Sequence, residues 1–167
     1  MTFAPRNWTT GEVVTAALLN QEIRDQLNSI FDAWTSYTPT FTSSGTAPSL
    51  GNGTVSGRYM KVGRTVHVFI ALVWGSTTTP GSGNLSLGLP VTGASSLPGA
   101  LSATCTTTGT VNFLMGAAPL GNSTSSTGTI WFASPGTIGD WNAWAAGGPT
   151  LAAGDTVRVY GTYQSAT

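Results

Sequence analysis

The sequence predicts an all-β fold, a jelly-roll-like antiparallel β-sandwich preceded by an N-terminal arm and one α-helix. Three observations carry this prediction. Charged residues make up only 7% of the chain, against about 25% in an average soluble domain, while Gly, Ser and Thr abound throughout. Hydrophobic residues nevertheless reach 40%, with six Trp and six Phe, enough to bury a core rather than leave the chain disordered. Beyond Trp34 the texture becomes short β-like runs separated by Gly, Pro, Ser and Thr, the pattern of a sandwich or barrel. The 167 residues suit one compact domain with a modest appendage, divided here into 1–35, arm and helix, and 36–167, sandwich.

From Met1 to Thr10 the chain has Pro5, Trp8 and Thr9 and no periodicity, which predicts an extended arm ordered by a partner through Phe3 and Trp8. From Thr15 to Trp34 there is no Gly or Pro, and Thr15 is placed to cap a helix. Asn20, Ile23, Leu27, Ile30 and Trp34 fall at alternating spacings of three and four, the core positions of a short heptad pattern, with Leu19 beside them. A polar Asn at one such position fixes register and strand number in a parallel bundle. Leu18, Leu19 and Phe31 widen the stripe beyond a strict seam, so an amphipathic helix packed on its own β domain stands beside the bundle reading.

The clearest strands form a hairpin, Gly57 to Val62 and Thr65 to Trp74, turning at Gly63-Arg64. Further strands are expected at Tyr37 to Thr42, Asn84 to Leu89, Leu101 to Thr106, Val111 to Gly116, Thr129 to Ala133 and Thr156 to Tyr163. In the last, Val157, Val159, Gly161 and Tyr163 alternate with Thr156, Arg158, Tyr160 and Thr162, one buried face against one exposed. The loops Ser76 to Gly83 and Gly121 to Gly128 are almost wholly small and polar and are expected at exposed ends of the sandwich.

Chemistry-bearing residues are scarce. Net charge is zero and the six Lys and Arg are scattered, so neither nucleic acid nor membrane is expected as a partner. No run approaches the roughly 18 apolar residues of a membrane span, and no leader pattern opens the chain, so synthesis in the cytosol is expected. The sandwich offers Asp140 and Asp155 as its carboxylates, the latter in a turn after Gly154, and His67 as its imidazole. Cys105 shares a strand face with Leu101 and Ala103 and reads as a buried thiol. One His and one Cys cannot close a zinc site, and no serine sits in a nucleophile elbow. The expectation is a non-enzymatic protein without cofactor or metal. Trp131, Trp141 and Trp144, set among Gly and Pro, are the candidate glycan-binding residues, since indoles stack on sugar faces; their alternative role is pinning loops.

Asn7 to Asn20 with Ile23-Arg24-Asp25, and Trp34 to Phe41, resemble the opening of tail-fibre and minor structural proteins of bacteriophages, especially those of actinobacterial hosts. There a Trp-x-x-Gly-x-Val-x-Thr-Ala-x-x-Leu-Asn stretch opens an attachment helix. Gly53 to Val68 is similar to the repeated Gly-x-Tyr-x-x-Val-Gly-x-x-Val-x-Val hairpin of phage receptor-binding and decoration domains. The resemblance implies a homotrimer on the virion surface, a capsid decoration, head fibre or tail fibre assembled in the host cytoplasm. It implies capsid or tail proteins as partners, with a host surface glycan as a further one.

Overall fold

The computed structural model describes residues 6–30, 34–95, 99–108, 113–120, 125–133, 141–143 and 149–167, with backbone alone at 26, 29, 30 and 141–143. Phe3, Asp140 and Trp144 lie outside the described residues, as do the side chains of Ile30 and Trp141.

The arm is locally folded, not simply extended. Glu12 N–H donates to the Thr9 carbonyl at 3.1 Å, Gly11 supplies φ +83°, and the Glu12 carboxylate takes both Thr9 N–H at 3.2 Å and the Arg6 guanidinium. The helix starts where Thr15 predicts: its hydroxyl accepts Leu18 N–H at 3.3 Å and caps α1 (Ala16–Leu19). A π-helical turn, Asn20–Arg24, joins it to α2 (Asp25–Ile30). That wider turn interrupts the heptad pattern, because an α-helix rotates about 100° per residue and one extra residue in the ladder displaces the face beyond it. Trp34 is not helical; it stands immediately before the first strand.

The strands are β1 (Thr35–Tyr37), β2 (Phe41–Ser43), β3 (Thr54–Val62), β4 (Thr65–Val73), β5 (Leu85–Leu87), β6 (Ala100–Thr106), β7 (Phe113–Pro119), β8 (Trp131–Ala133), β9 (Trp141–Ala143) and β10 (Thr156–Gln164). They make an all-β antiparallel sandwich. Eight lie in one sheet, ordered β1-β3-β4-β10-β6-β7-β8-β9, and β2 pairs with β5 in the other. The hairpin β3–β4 turns at Gly63, φ +59°, in the left-handed conformation that a two-residue turn demands. The crossover lies in the last strand: β10 inserts between β4 and β6, pairing Thr156–Gln164 with Val73–Thr65.

Tyr37 to Thr42 does not form the single strand expected. Pro39 has no N–H to give a ladder, and the chain changes sheets across 38–40, so Tyr37 belongs to the large sheet and Phe41 to the small one. Tyr37 and Pro39 both lie over Gly57, where a Cβ would strike them, and the Tyr37 hydroxyl donates to the Gly88 carbonyl at 3.3 Å. Burial holds that phenol well above its ordinary range. β9 was not anticipated, because three residues between Gly-rich stretches carry no alternation to read.

The core fills the space between the sheets. Val66, Val68, Ile70 and Leu72 of β4, Val157 and Val159 of β10, and Leu101, Ala103 and Cys105 of β6 face Leu85 and Leu87 of β5, with Ile130 and Phe132 closing one end. Each fully buried aliphatic side chain contributes about 1.5–3 kcal/mol. Phe41 meets Trp74 edge to face at 6.2 Å, stacking the small sheet on the large. The loop of residues 76–83 and the described part of the second polar loop, residues 125–128, each bury one threonine. Thr78 hydroxyl donates to the Leu50 carbonyl at 2.5 Å, and Thr127 hydroxyl accepts Leu87 N–H at 3.1 Å. Each buried hydroxyl is thereby satisfied by a backbone group, as burial of a polar atom requires.

Candidate functional site on the outer face of the large sheet

Strand alternation that buries one face of the large sheet presents the other, and register fixes which residues meet there. One row runs Ser36, Arg58, Phe69, Tyr160, Ser102, Ala117, Trp131. Beside it runs Met60, His67, Thr162, and on the other flank Ser56, Ala71, Arg158, Thr104, Met115. This face keeps large apolar surface in contact with water: Tyr160 and Trp131 are each 38% exposed and Met115 is 60% exposed.

Trp34, His67, Phe69, Tyr160 and Thr162 line a shallow pocket of about 350 Å³ on this face. The Arg58 guanidinium carbon lies 5.6 Å from the Trp34 ring centroid and 5.2 Å from that of Phe69, a cation–π contact with both rings. His67 Nδ1 and Thr162 Oγ1 are 3.0 Å apart and share a hydrogen bond across β4 and β10. Among the described residues this face has Arg58, Arg158 and His67 and no carboxylate.

The predicted contact residues distribute differently. Trp8 is exposed, with the Arg6 guanidinium 5.3 Å from its ring centroid. Leu19, Asn20, Ile23 and Leu27 lie on the helix, where Leu19, Ile23 and Leu27 are 44%, 51% and 52% exposed, so the stripe is not buried against the chain's own β domain. Trp34 instead joins the sheet face. Of the three candidate glycan-binding tryptophans only Trp131 has a described side chain, and alternation separates it from Phe132, which is buried in the core. The pocket residues were missed as a group because they come from distant strands; the one signal was the exposed set Arg158, Tyr160 and Thr162 read from β10.

Asp155 and Cys105 are both internal. Asp155 is 2% exposed; its carboxylate accepts Thr108 N–H and hydroxyl at 2.7 and 2.9 Å and Ala152 N–H at 2.7 Å. Burial alone would raise that carboxyl, and the three bonds outweigh it and hold it below the usual carboxylate range. Cys105 is fully buried, as its strand face predicts, and burial, helped by the Asp155 charge, pushes its thiol up to about 11. No group of three or more His, Cys, Asp or Glu converges to hold a metal among the described residues. Nor is any described helix long and apolar enough to cross a membrane.

Comparison of the chain with protein-family models, curated proteins and solved structures returns no match.

Proposed function

We propose that the chain is a non-enzymatic structural protein of a bacteriophage virion, a homotrimeric surface component of the capsid-decoration, head-fibre or tail-fibre type. The arm and helix attach it to capsid or tail proteins, and the sandwich faces solvent. The observation that carries this reading is the exposed stripe of Leu19, Ile23 and Leu27 on a capped helix outside a sandwich that already has its own core. A helix of this length is marginal in water without a partner for its apolar face. The resemblance of Asn7 to Asn20 and Gly53 to Val68 to segments of phage virion proteins supports a virion as the setting that supplies such a partner.

The test is the solution mass of the full chain beside a chain beginning at Ser36. A full-length trimer with a monomeric truncation supports assembly through the helix, and a full-length monomer overturns the trimer. A second reading, a carbohydrate-binding module for adsorption to host cell-wall glycans, draws support from the exposed aromatic face of the large sheet.

A further inference from the structure

The geometry points to a binding site for an acidic polysaccharide on the outer face of the large sheet, seated in the pocket of Trp34, His67, Phe69, Tyr160 and Thr162 and flanked by Arg58 and Arg158. This rests on the carbohydrate-binding reading, moves its site away from a cluster of tryptophans, and adds the charge of the ligand.

Aromatic rings exposed at the surface of a flat sheet offer faces on which the C–H side of a pyranose stacks, and the pocket supplies both ring and hydrogen-bonding groups. Tyr160 and Thr162 are exposed neighbours on one strand face, and the His67–Thr162 bond leaves His67 Nε2 and further hydroxyl capacity toward the pocket. Along the same row Ser102 and then Trp131 follow, with Trp131 three strands, about 14 Å, from Tyr160. That span fits an oligosaccharide crossing the strands rather than a single ring.

Charge selects among occupants. Among the described residues Arg58 and Arg158 stand on a face without a carboxylate, so a ligand that brings its own anion pairs with them, and guanidinium groups take carboxylate or phosphate in a bidentate fork. A second copy meeting this face with the same face would bring arginines against arginines in a drying interface, an uncompensated burial of like charge. Nucleic acid needs more cations than two along its backbone. Acidic saccharides carry the required anion as either a uronate or a phosphodiester.

The experiment uses the full chain and follows tryptophan fluorescence and calorimetric heat with three probes: oligogalacturonate, poly(glycerol phosphate) and neutral cello-oligosaccharide. Saturable binding to either acidic probe, weakening with salt and reduced at least tenfold by both Tyr160→Ala and Arg158→Gln, supports the site, and the probe that binds tells uronate from phosphodiester. Unchanged melting temperatures for the two variants establish that they fold. Tight binding unaffected by both substitutions overturns this site while leaving carbohydrate binding intact. Equal binding of the neutral probe overturns the acidic ligand. Absence of binding to all three removes the carbohydrate reading with it. Stronger binding of oligothymidylate, or a fall in solution mass on Tyr160→Ala, reassigns the face to nucleic acid or to a neighbouring copy and overturns the proposal.

Discussion

Asp155 illustrates how one residue organises its surroundings without doing chemistry. Its carboxylate gathers three donors from two segments, fixing Thr108 at the exit of β6 to the turn of residues 152–154 that launches β10. Removing a buried acceptor that serves charge-assisted bonds leaves its donors unsatisfied, so Asp155→Ala is expected to cost about 3 kcal/mol in urea unfolding. Because the folded carboxyl titrates below the unfolded one, the unfolded chain binds more protons in between. Its contribution is therefore complete above about pH 4 and is lost as the pH falls through the folded value. Asp155→Asn should flatten the acid limb of a stability–pH curve; an unchanged limb would show that other carboxylates dominate it. The sequence placed this residue in a turn after Gly154, which was right, since Gly154 has φ +92°. It could not reveal Thr108 as the partner, because that contact is made across the fold.

At the scale of elements, the start of the helix and the β3–β4 hairpin were legible because each is fixed by local chemistry: a capping hydroxyl in one case, Gly63 with strict alternation in the other. What escaped the sequence depended on events between elements. The break at Pro39 divides one apparent strand between two sheets, and the π-helical turn at Asn20–Arg24 has no marker in its residues. The tryptophan cluster was drawn from proximity in sequence, whereas the pocket assembles from β4, β10 and the residue before β1. Since Ile23 and Leu27 are exposed, Ile23→Asp with Leu27→Asp is expected to dissociate the proposed trimer in sedimentation while leaving the melting temperature of the sandwich within about 2 °C. Retention of trimers would place the contact elsewhere.

For the molecule as a whole, the charge distribution is uneven although the total is zero. Four of the six acidic residues, Glu12, Glu22, Asp25 and Asp32, fall in the first 35 residues of the sequence, and four of the six basic ones, Arg58, Lys61, Arg64 and Arg158, fall after them. Composition alone revealed the neutrality, and only the strand register revealed that two of those arginines share an open face with aromatic rings. The sandwich itself was legible because period-two alternation in β4, β6 and β10 states which side of each strand is apolar, and three adjacent strands are enough to define a core.

The position of β10 has a temporal meaning. The strands it joins, β4 and β6, are translated long before it, and their facing edges have no neighbour until residues 156–164 leave the ribosome. Until then the nascent chain has two unfinished sheets with open edges, the kind that recruit strands from other chains. A chain ending at Gly154 is therefore expected to collect in the pellet, whereas adding a synthetic peptide of residues 155–167 during refolding should return part of it to solution; a soluble, monomeric truncation would contradict this. Closure of the large sheet then waits for residues 156–164, whereas the β3–β4 hairpin can form as soon as its own residues are made.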